Sequence, residues 1–180
     1  RALEAGLASF VFTNAAPTMP VWGGRDPFLG TNPLAMGAPG PPPFVLDMAT
    51  SVAAKGKVRR ALAKGETIPE GWALDGEGRP TTDPAAALEG VVLPLGGPKG
   101  SGVAVMIDVL AGIMSGAASG DGVVNQNDDF TRGQDVGHFF LAMRPDLFMP
   151  PDAYADRARD YAERLKAGRK ATGFEEILLP

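Results

Sequence analysis

PFVLDMATSVAAKGK, residues 43–57, decides the fold. Its first half is an apolar run that reads as a short buried strand. Ser51 then reads as an N-cap, with a helix running through Ala63 and Gly65 as its stop. What does not follow the strand matters as much. No GxGxxG stands there, and no GxxxxGK[ST] occurs anywhere in the 180 residues. Neither the doubly wound dinucleotide fold nor a phosphate loop is therefore expected.

Working outward, ASFVFTNA (8–15) is rich in β-branched and aromatic residues and reads as a strand. Residues 16–43 are dense in Pro and Gly and read as one long irregular loop. Downstream, Asp83-Pro84 opens a short helix that Gly90 closes. VVLPL (91–95) is extended. From Val103, apolar residues recur at Ile107, Leu110 and Met114, with Met106 and Ile113 beside them. That spacing predicts a helix apolar nearly all round, hence buried. Residues 115–135 are loop-like, and GHFFLAM (137–143) is a strand. Residues 151–167 form an amphipathic helix with Tyr154, Ala158, Tyr161 and Leu165 on its apolar stripe. EILLP (176–180) reads as a last strand. Mixed strands and helices make an α/β (α+β) domain. Residues 1–150 read as its core, and residues 151–180 as a C-terminal helix and strand leading onward.

Composition sets the outer bounds. Hydrophobic residues at 44% and charged residues at 21% exclude disorder as the default state. A net charge of −4 gives no electrostatic case for nucleic acid. With no Cys and one His, a disulfide, a thiolate nucleophile and a Cys- or His-rich metal site are excluded within this chain. No metal ligand set is expected. No apolar run spans a bilayer and no signal-peptide layout is seen, so no membrane role and a cytoplasmic location are expected. Arg1 begins inside a helix-like stretch and Pro180 follows an apolar run, so the chain is expected to be a piece of a longer one.

Five places can carry chemistry. In GGRDPFLGTNPLAMGAP (23–39), Thr31 and Asn32 offer a hydroxyl and an amide to a carboxylate or carbonyl oxygen. An ordinary structural loop accounts for the same residues. In DMATSVAAKGK (47–57), free amides at a helix start attract anions and Asp47 can accept from ribose hydroxyls. A plain cap at Thr50 or Ser51 is the competing reading. In GGPKGSG (96–102), Gly-rich backbone and Lys99 form a candidate phosphate cradle. His138 can act as an acid or base, but in an apolar strand pattern it reads better as a hydrogen-bonded core residue. Asp121, Asp128, Asp129 and Asp135 lack calcium-loop spacing and read as a solvated acidic loop.

In order along the chain stand FTN (12–14), GGRDPFLGTNP (23–33), LDMATSVAAKG (46–56), PEGWALDGEGRPTTDP (69–84), GVVLPLGGPKG (90–100) and GHFFLA (137–142). This ordered set resembles the type-2 malate/L-lactate dehydrogenase family, which includes ureidoglycolate dehydrogenase-like members, over nearly the whole chain. The resemblance implies a non-Rossmann nicotinamide-dinucleotide-binding α/β fold and a homodimer with cofactor near the subunit contact. It implies reduction of a 2-oxo acid to a malate- or lactate-like 2-hydroxy acid with NADH or NADPH. It implies that Asp47, Met48, Ala49, Lys55, Gly56 and Lys99 contact NAD or NADP and that Thr31 lies near substrate. The family's catalytic His is expected upstream of Arg1, and a cofactor-contacting Pro-Gly turn at or after Pro180. No residue of this chain is matched to catalysis, and the chain alone is expected to be nearly inactive.

Two departures bear on the substrate. Ala15 stands where many relatives have Ser. Lys57 stands where the cyclic-imine-reducing branch has an Asp, which favours an oxo-acid enzyme. Two alternatives stay open: a non-catalytic dinucleotide-binding or dimerisation module, and a ureidoglycolate or cyclic-imine oxidoreductase of the same family.

Overall fold

A computed structural model describes residues 1–180, which divide into two compact units. The first comprises Arg1–Val11, Ala35–Asp47 and Phe140–Pro180. It holds most of a four-stranded sheet of order β3-β2-β1-β7, formed by β1 (Ala8–Thr13), β2 (Leu34–Ala38), β3 (Phe44–Met48) and β7 (His138–Met143). β3 shows the period of two expected of a pleated strand, with Val45 and Asp47 exposed and their neighbours half-buried. The long helix of this unit, Pro151–Lys166, is the amphipathic one the sequence predicts. Pro151 opens it, Asp152 lies in its first turn, and Arg164 and Lys166 lie in its last, all in accord with the helix dipole. Ala158 and Ala162 are its buried residues. The Tyr154 hydroxyl donates to the Pro39 carbonyl at 2.8 Å, and the Tyr161 ring meets Phe44 at 6.0 Å between centroids.

The second unit comprises Phe12–Leu34 and Met48–Phe139. It contains α1 (Lys55–Lys64), α2 (Pro84–Glu89), α3 (Pro98–Asp108) and a small antiparallel sheet. That sheet has order β5-β4-β6, from Ala73–Leu74 (β4), Pro80–Thr81 (β5) and Val91–Val92 (β6). The Pro151–Lys166 helix of the first unit is α4. Met19, Leu29, Val58, Ile68, Ala73, Ala87, Val92 and Ala104 form the core. Val58 and Ala61 stand three apart on α1, so one face of that helix feeds this core. Gly65 ends α1 in the left-handed region, at φ 67°, and its amide reaches the Ala61 and Leu62 carbonyls. Asp83 caps α2 by accepting from the Ala85 amide at 2.9 Å.

Several expectations are corrected. Residues 16–43 are not all loop, because LAMGA (34–38) pairs as β2. Ser51 is not an N-cap: it is buried in a bridge to Pro94, and α1 starts after Ala54. α3 starts at Pro98, passes into a π turn at Val109–Ile113, and is not buried all round. Val103, Met106, Ile113 and Met114 are exposed. His138 is exposed rather than in the core. EILLP forms no strand, although the Pro180 carbonyl accepts from the Val45 amide at 3.1 Å.

Candidate functional site

Three of the sequence motifs are tied together by backbone within the second unit. The Thr31 carbonyl accepts from both the Thr50 amide at 2.9 Å and the Thr50 hydroxyl at 3.0 Å. The Thr50 carbonyl in turn accepts from the Leu95 amide at 2.8 Å, and the Val52 amide donates to the Leu93 carbonyl at 2.9 Å. GTNP, DMATS and PLGG therefore lie side by side. Thr50 is 1% exposed, so each bond is made where water cannot replace it.

A second set of buried polar groups braces this junction. Asn32 is 0% exposed; its side-chain oxygen accepts from the Ala15 amide at 3.1 Å and its NH2 donates to the Ala104 carbonyl at 2.9 Å. Its amide is spent on structure and does not reach a substrate, contrary to one reading of GTNP. Asn14 donates to Asp108 at 3.2 Å and to the Ala118 carbonyl at 2.7 Å, and accepts from the Gly137 amide at 2.9 Å. Asp108 accepts from the Gly120 amide at 2.7 Å with its other oxygen. The glycines around them allow close approach. A Cβ on Gly112 would lie 2.8 Å from the Asn14 side-chain nitrogen, and one on Gly30 would lie 2.1 Å from the Ala15 carbonyl oxygen. Asp108 escaped the sequence reading. Its signal was available: one carboxylate inside the apolar run VAVMIDVLAG.

Beside this frame opens a polar cleft of about 320 Å³. Ala15, Thr18 and Thr31 line it from one segment, Ala54, Lys55 and Arg59 from the start of α1, and Asn125, Gln126, Asn127 and Gln134 from the loop after α3. Among the residues expected at a site, Thr31 and Lys55 meet here. Burial pushes the Lys55 ammonium below its usual value, and Arg59 adds repulsion; Asp128 and Glu89 oppose both more weakly. The Thr18 hydroxyl oxygen is buried with no hydrogen-bond partner. Ala15 leaves this part of the wall apolar.

The other expected residues do not line the cleft. Asp47 is exposed in the first unit, while Met48 and Ala49 are half-buried in the second. Gly56 is exposed, with nothing within 4 Å of where a Cβ would stand. Lys99 is exposed in the first turn of α3. Lys57 points at the Trp72 ring, 6.0 Å from its centroid. The acidic loop closes on itself. Asp129 accepts from Thr131 and from Arg132, which holds its carboxyl down to about 2. No group of three His, Cys, Asp or Glu is placed to hold a metal. No helix is long and apolar enough to cross a membrane.

All 180 residues match the family described as malate/L-lactate dehydrogenase. The chain is 41% identical over 183 aligned positions to L-sulfolactate dehydrogenase of Methanocaldococcus jannaschii, covering 99% of this chain and 52% of that one. A solved structure of sulfolactate dehydrogenase from the same organism superposes with a TM-score of 0.91, covering 99% of this chain and 52% of that one. The chain is 43% identical to the NADP-dependent (2R)-3-sulfolactate dehydrogenase of Chromohalobacter salexigens, covering 82% of this chain and 45% of that one. It is 37% identical to the NAD-dependent ureidoglycolate dehydrogenase of Escherichia coli O157:H7, covering 100% and 52%. The chain spans about half the length of the curated relatives it matches. The family match over all 180 residues and the shared fold agree, and the chain belongs to the malate/L-lactate dehydrogenase family.

Proposed function

We propose that this chain is the cofactor-binding part of an oxidoreductase that reduces a 2-oxo acid to a malate- or lactate-like 2-hydroxy acid with NADH or NADPH. The observation that carries the reading is the Thr31–Thr50–Leu95 junction, which draws three motifs to one place next to a polar cleft.

The residues present suit a dinucleotide. α1 has no side-chain cap, so the Lys55 and Gly56 amides at its start remain available to phosphate oxygens. Gly56 and Gly96 leave their backbone approachable, with open space where a Cβ would stand. Asp47, Met48, Ala49, Gly56 and Lys99 are proposed to hold the cofactor, and Thr31 to meet the substrate. Lys55, which the resemblance gives to the cofactor, lines the same cleft as Thr31. A bound nicotinamide supplies the hydride. The chain's own part is to orient both reactants and to present donors to the substrate's oxygens. The proton for the new alkoxide is proposed to come from a His outside these 180 residues. Lys57, occupied with Trp72, favours an oxo acid over a cyclic imine. Exposed Val103, Met106, Ile113 and Met114 along α3 and its π turn support a homodimer.

The test is an assay of NAD(P)H oxidation with oxaloacetate, pyruvate and 3-sulfopyruvate. Two forms are compared: the longest natural polypeptide carrying this chain, and the 180 residues alone. Turnover is expected from the former on at least one acid and almost none from the latter. Cofactor binding without turnover in both would favour the non-catalytic module instead.

A further inference from the structure

We propose that Asp108 is a positioning residue: it fixes the base of the 115–137 loop and through it sets where that loop's side-chain amides stand in the cleft. This rests on the oxidoreductase reading above and adds to it a residue that does not itself touch the ligand.

Asp108 is 6% exposed and does not line the cleft. Burying a carboxylate inside an apolar run is costly, and an apolar residue of similar size would pack there at less cost. Stability alone therefore does not account for it. What the carboxylate does is hold two separate points at once. One oxygen accepts from the Asn14 NH2 at 3.2 Å and the other from the Gly120 amide at 2.7 Å. Asn14 in turn has no freedom to flip. It donates to the Ala118 carbonyl and accepts from the Gly137 amide, so a flipped side chain would set oxygen against oxygen and N–H against N–H. The Thr13 hydroxyl adds a bond to the Gly137 carbonyl at 2.9 Å. Two buried side chains thus pin the loop at 118, 120 and 137.

Between these pins the loop is tied to itself. The Ala118 amide donates to the Asp135 carbonyl at 3.0 Å and the Val124 amide to the Gln134 carbonyl at 3.2 Å, which joins its two arms. Asp135 is the non-glycine residue with a positive φ, 57°, a conformation that these surroundings hold in place. At the tip, the Asn125 carbonyl accepts from the Asp128 and Asp129 amides, each at 3.0 Å. Asn125, Gln126, Asn127 and Gln134 line the cleft from this tied piece. A shift at the base is therefore carried to the tip rather than absorbed on the way. Asn14 also precedes Ala15, which lines the cleft from another segment, so the same pair of side chains sets two of its walls.

Asp108→Asn changes no size, but its NH2 must face either the Gly120 amide or the Asn14 NH2, and one pin is lost. The test uses the longest natural polypeptide carrying this chain. Ala87→Gly, which thins the core on α2, serves as the structural control. In Asp108→Asn, hydrogen exchange over 118–137 is expected to speed up about 10-fold or more relative to α1 and α2. The KM for the acid that the wild type turns over best should rise about 10-fold, with kcat changing much less. Ala87→Gly should lower the Tm with neither change. A fall in kcat at unchanged KM, which is what loss of folded protein gives, overturns the proposal. So does a loosened loop with wild-type kinetics, or exchange that quickens equally along the whole chain. If the wild type turns over no acid, the oxidoreductase reading fails, and NAD(P)H affinity by fluorescence titration takes the place of KM. Binding about 10-fold weaker in Asp108→Asn then supports the positioning role, and unchanged or absent binding overturns it. Should Asp108→Asn not fold, the wild type decides alone. Its Gly120 and Gly137 amides should exchange as slowly as those of α3, and exchange as fast as the loop tip overturns the proposal.

Discussion

The starts of α1 and α3 look alike in sequence and differ in the fold. Each pairs a Lys with a neighbouring Gly, and neither has a side-chain cap. At α3 the structure is locked. A Cβ on Gly97 would lie 3.1 Å from the Trp22 ring, one on Gly100 would lie 2.0 Å from the Leu95 carbonyl oxygen, and the Ser101 hydroxyl accepts from the Trp22 amide at 3.0 Å. At α1 a Cβ on Gly56 would meet nothing, while Lys55 and Arg59 face a cleft. Glycine serves packing in one place and leaves access in the other. Gly-rich sequence next to a Lys is therefore not one signal but two, and the surroundings decide which.

The strongest way to break this contrast is to loosen the locked side from behind. Asn14→Ala should cost about 3 kcal/mol in urea unfolding, because it strands the Gly137 amide and removes a donor from buried Asp108. A loss well under 1 kcal/mol would mean that the brace around α3 carries little. Next comes the glycine pair. Gly100→Ala should destabilise by about 2–3 kcal/mol, since its neighbour is backbone and cannot move aside. Gly56→Ala should instead stabilise the free protein by roughly 0.5 kcal/mol, as expected for replacing an open helical glycine. If Gly56 lies against the cofactor, the same change should weaken NAD(P)H binding measured by fluorescence titration. Similar signs for both glycines would erase the distinction.

The smallest effect is electrostatic. Lys55 has its pKa lowered on folding, so between its folded and unfolded values the unfolded chain binds more protons and stability rises with pH. Below the folded value the full penalty is present. Lys55→Met should remove that rise and change stability at neutral pH by no more than about 0.5 kcal/mol. A pH profile of Tm through the alkaline range measures it. A profile identical to wild type would show that Lys55 is not desolvated in the folded state.

Much of the scaffold was legible locally. Asp83-Pro84 wrote the start of α2 and Gly65 the end of α1, whereas of the stripe expected on α4 only Ala158 is buried, with Ala162 beside it, while Tyr161 and Leu165 are exposed. The unread parts depend on partners distant in sequence. LAMGA sits between Pro33 and Pro39 with a Gly inside it, and only its neighbouring strands make it β2. A Cβ on Gly37 would lie 3.1 Å from the Leu3 side chain, so that glycine is a packing residue. Ser51 looked like a cap because local chemistry allows it, but its pairing with Pro94 prevails. Thr31 and Lys55 were legible only through the ordered motifs. The amides of 125–134 were not, because no spacing in the sequence tells that a loop 70 residues away returns to the same cleft.

The π turn at Val109–Ile113 makes chain length itself a constraint. A π turn, closed here by the Met114 amide on the Val109 carbonyl, holds one residue more than an α turn, so deleting a single residue between 109 and 113 would let it close as regular α-helix. Gly112 would leave its place against Asn14, and a residue with a side chain would arrive there. Substitutions in this segment are judged by size, whereas losing one residue would exchange the π turn for regular helix and cost the fit of Gly112 against Asn14.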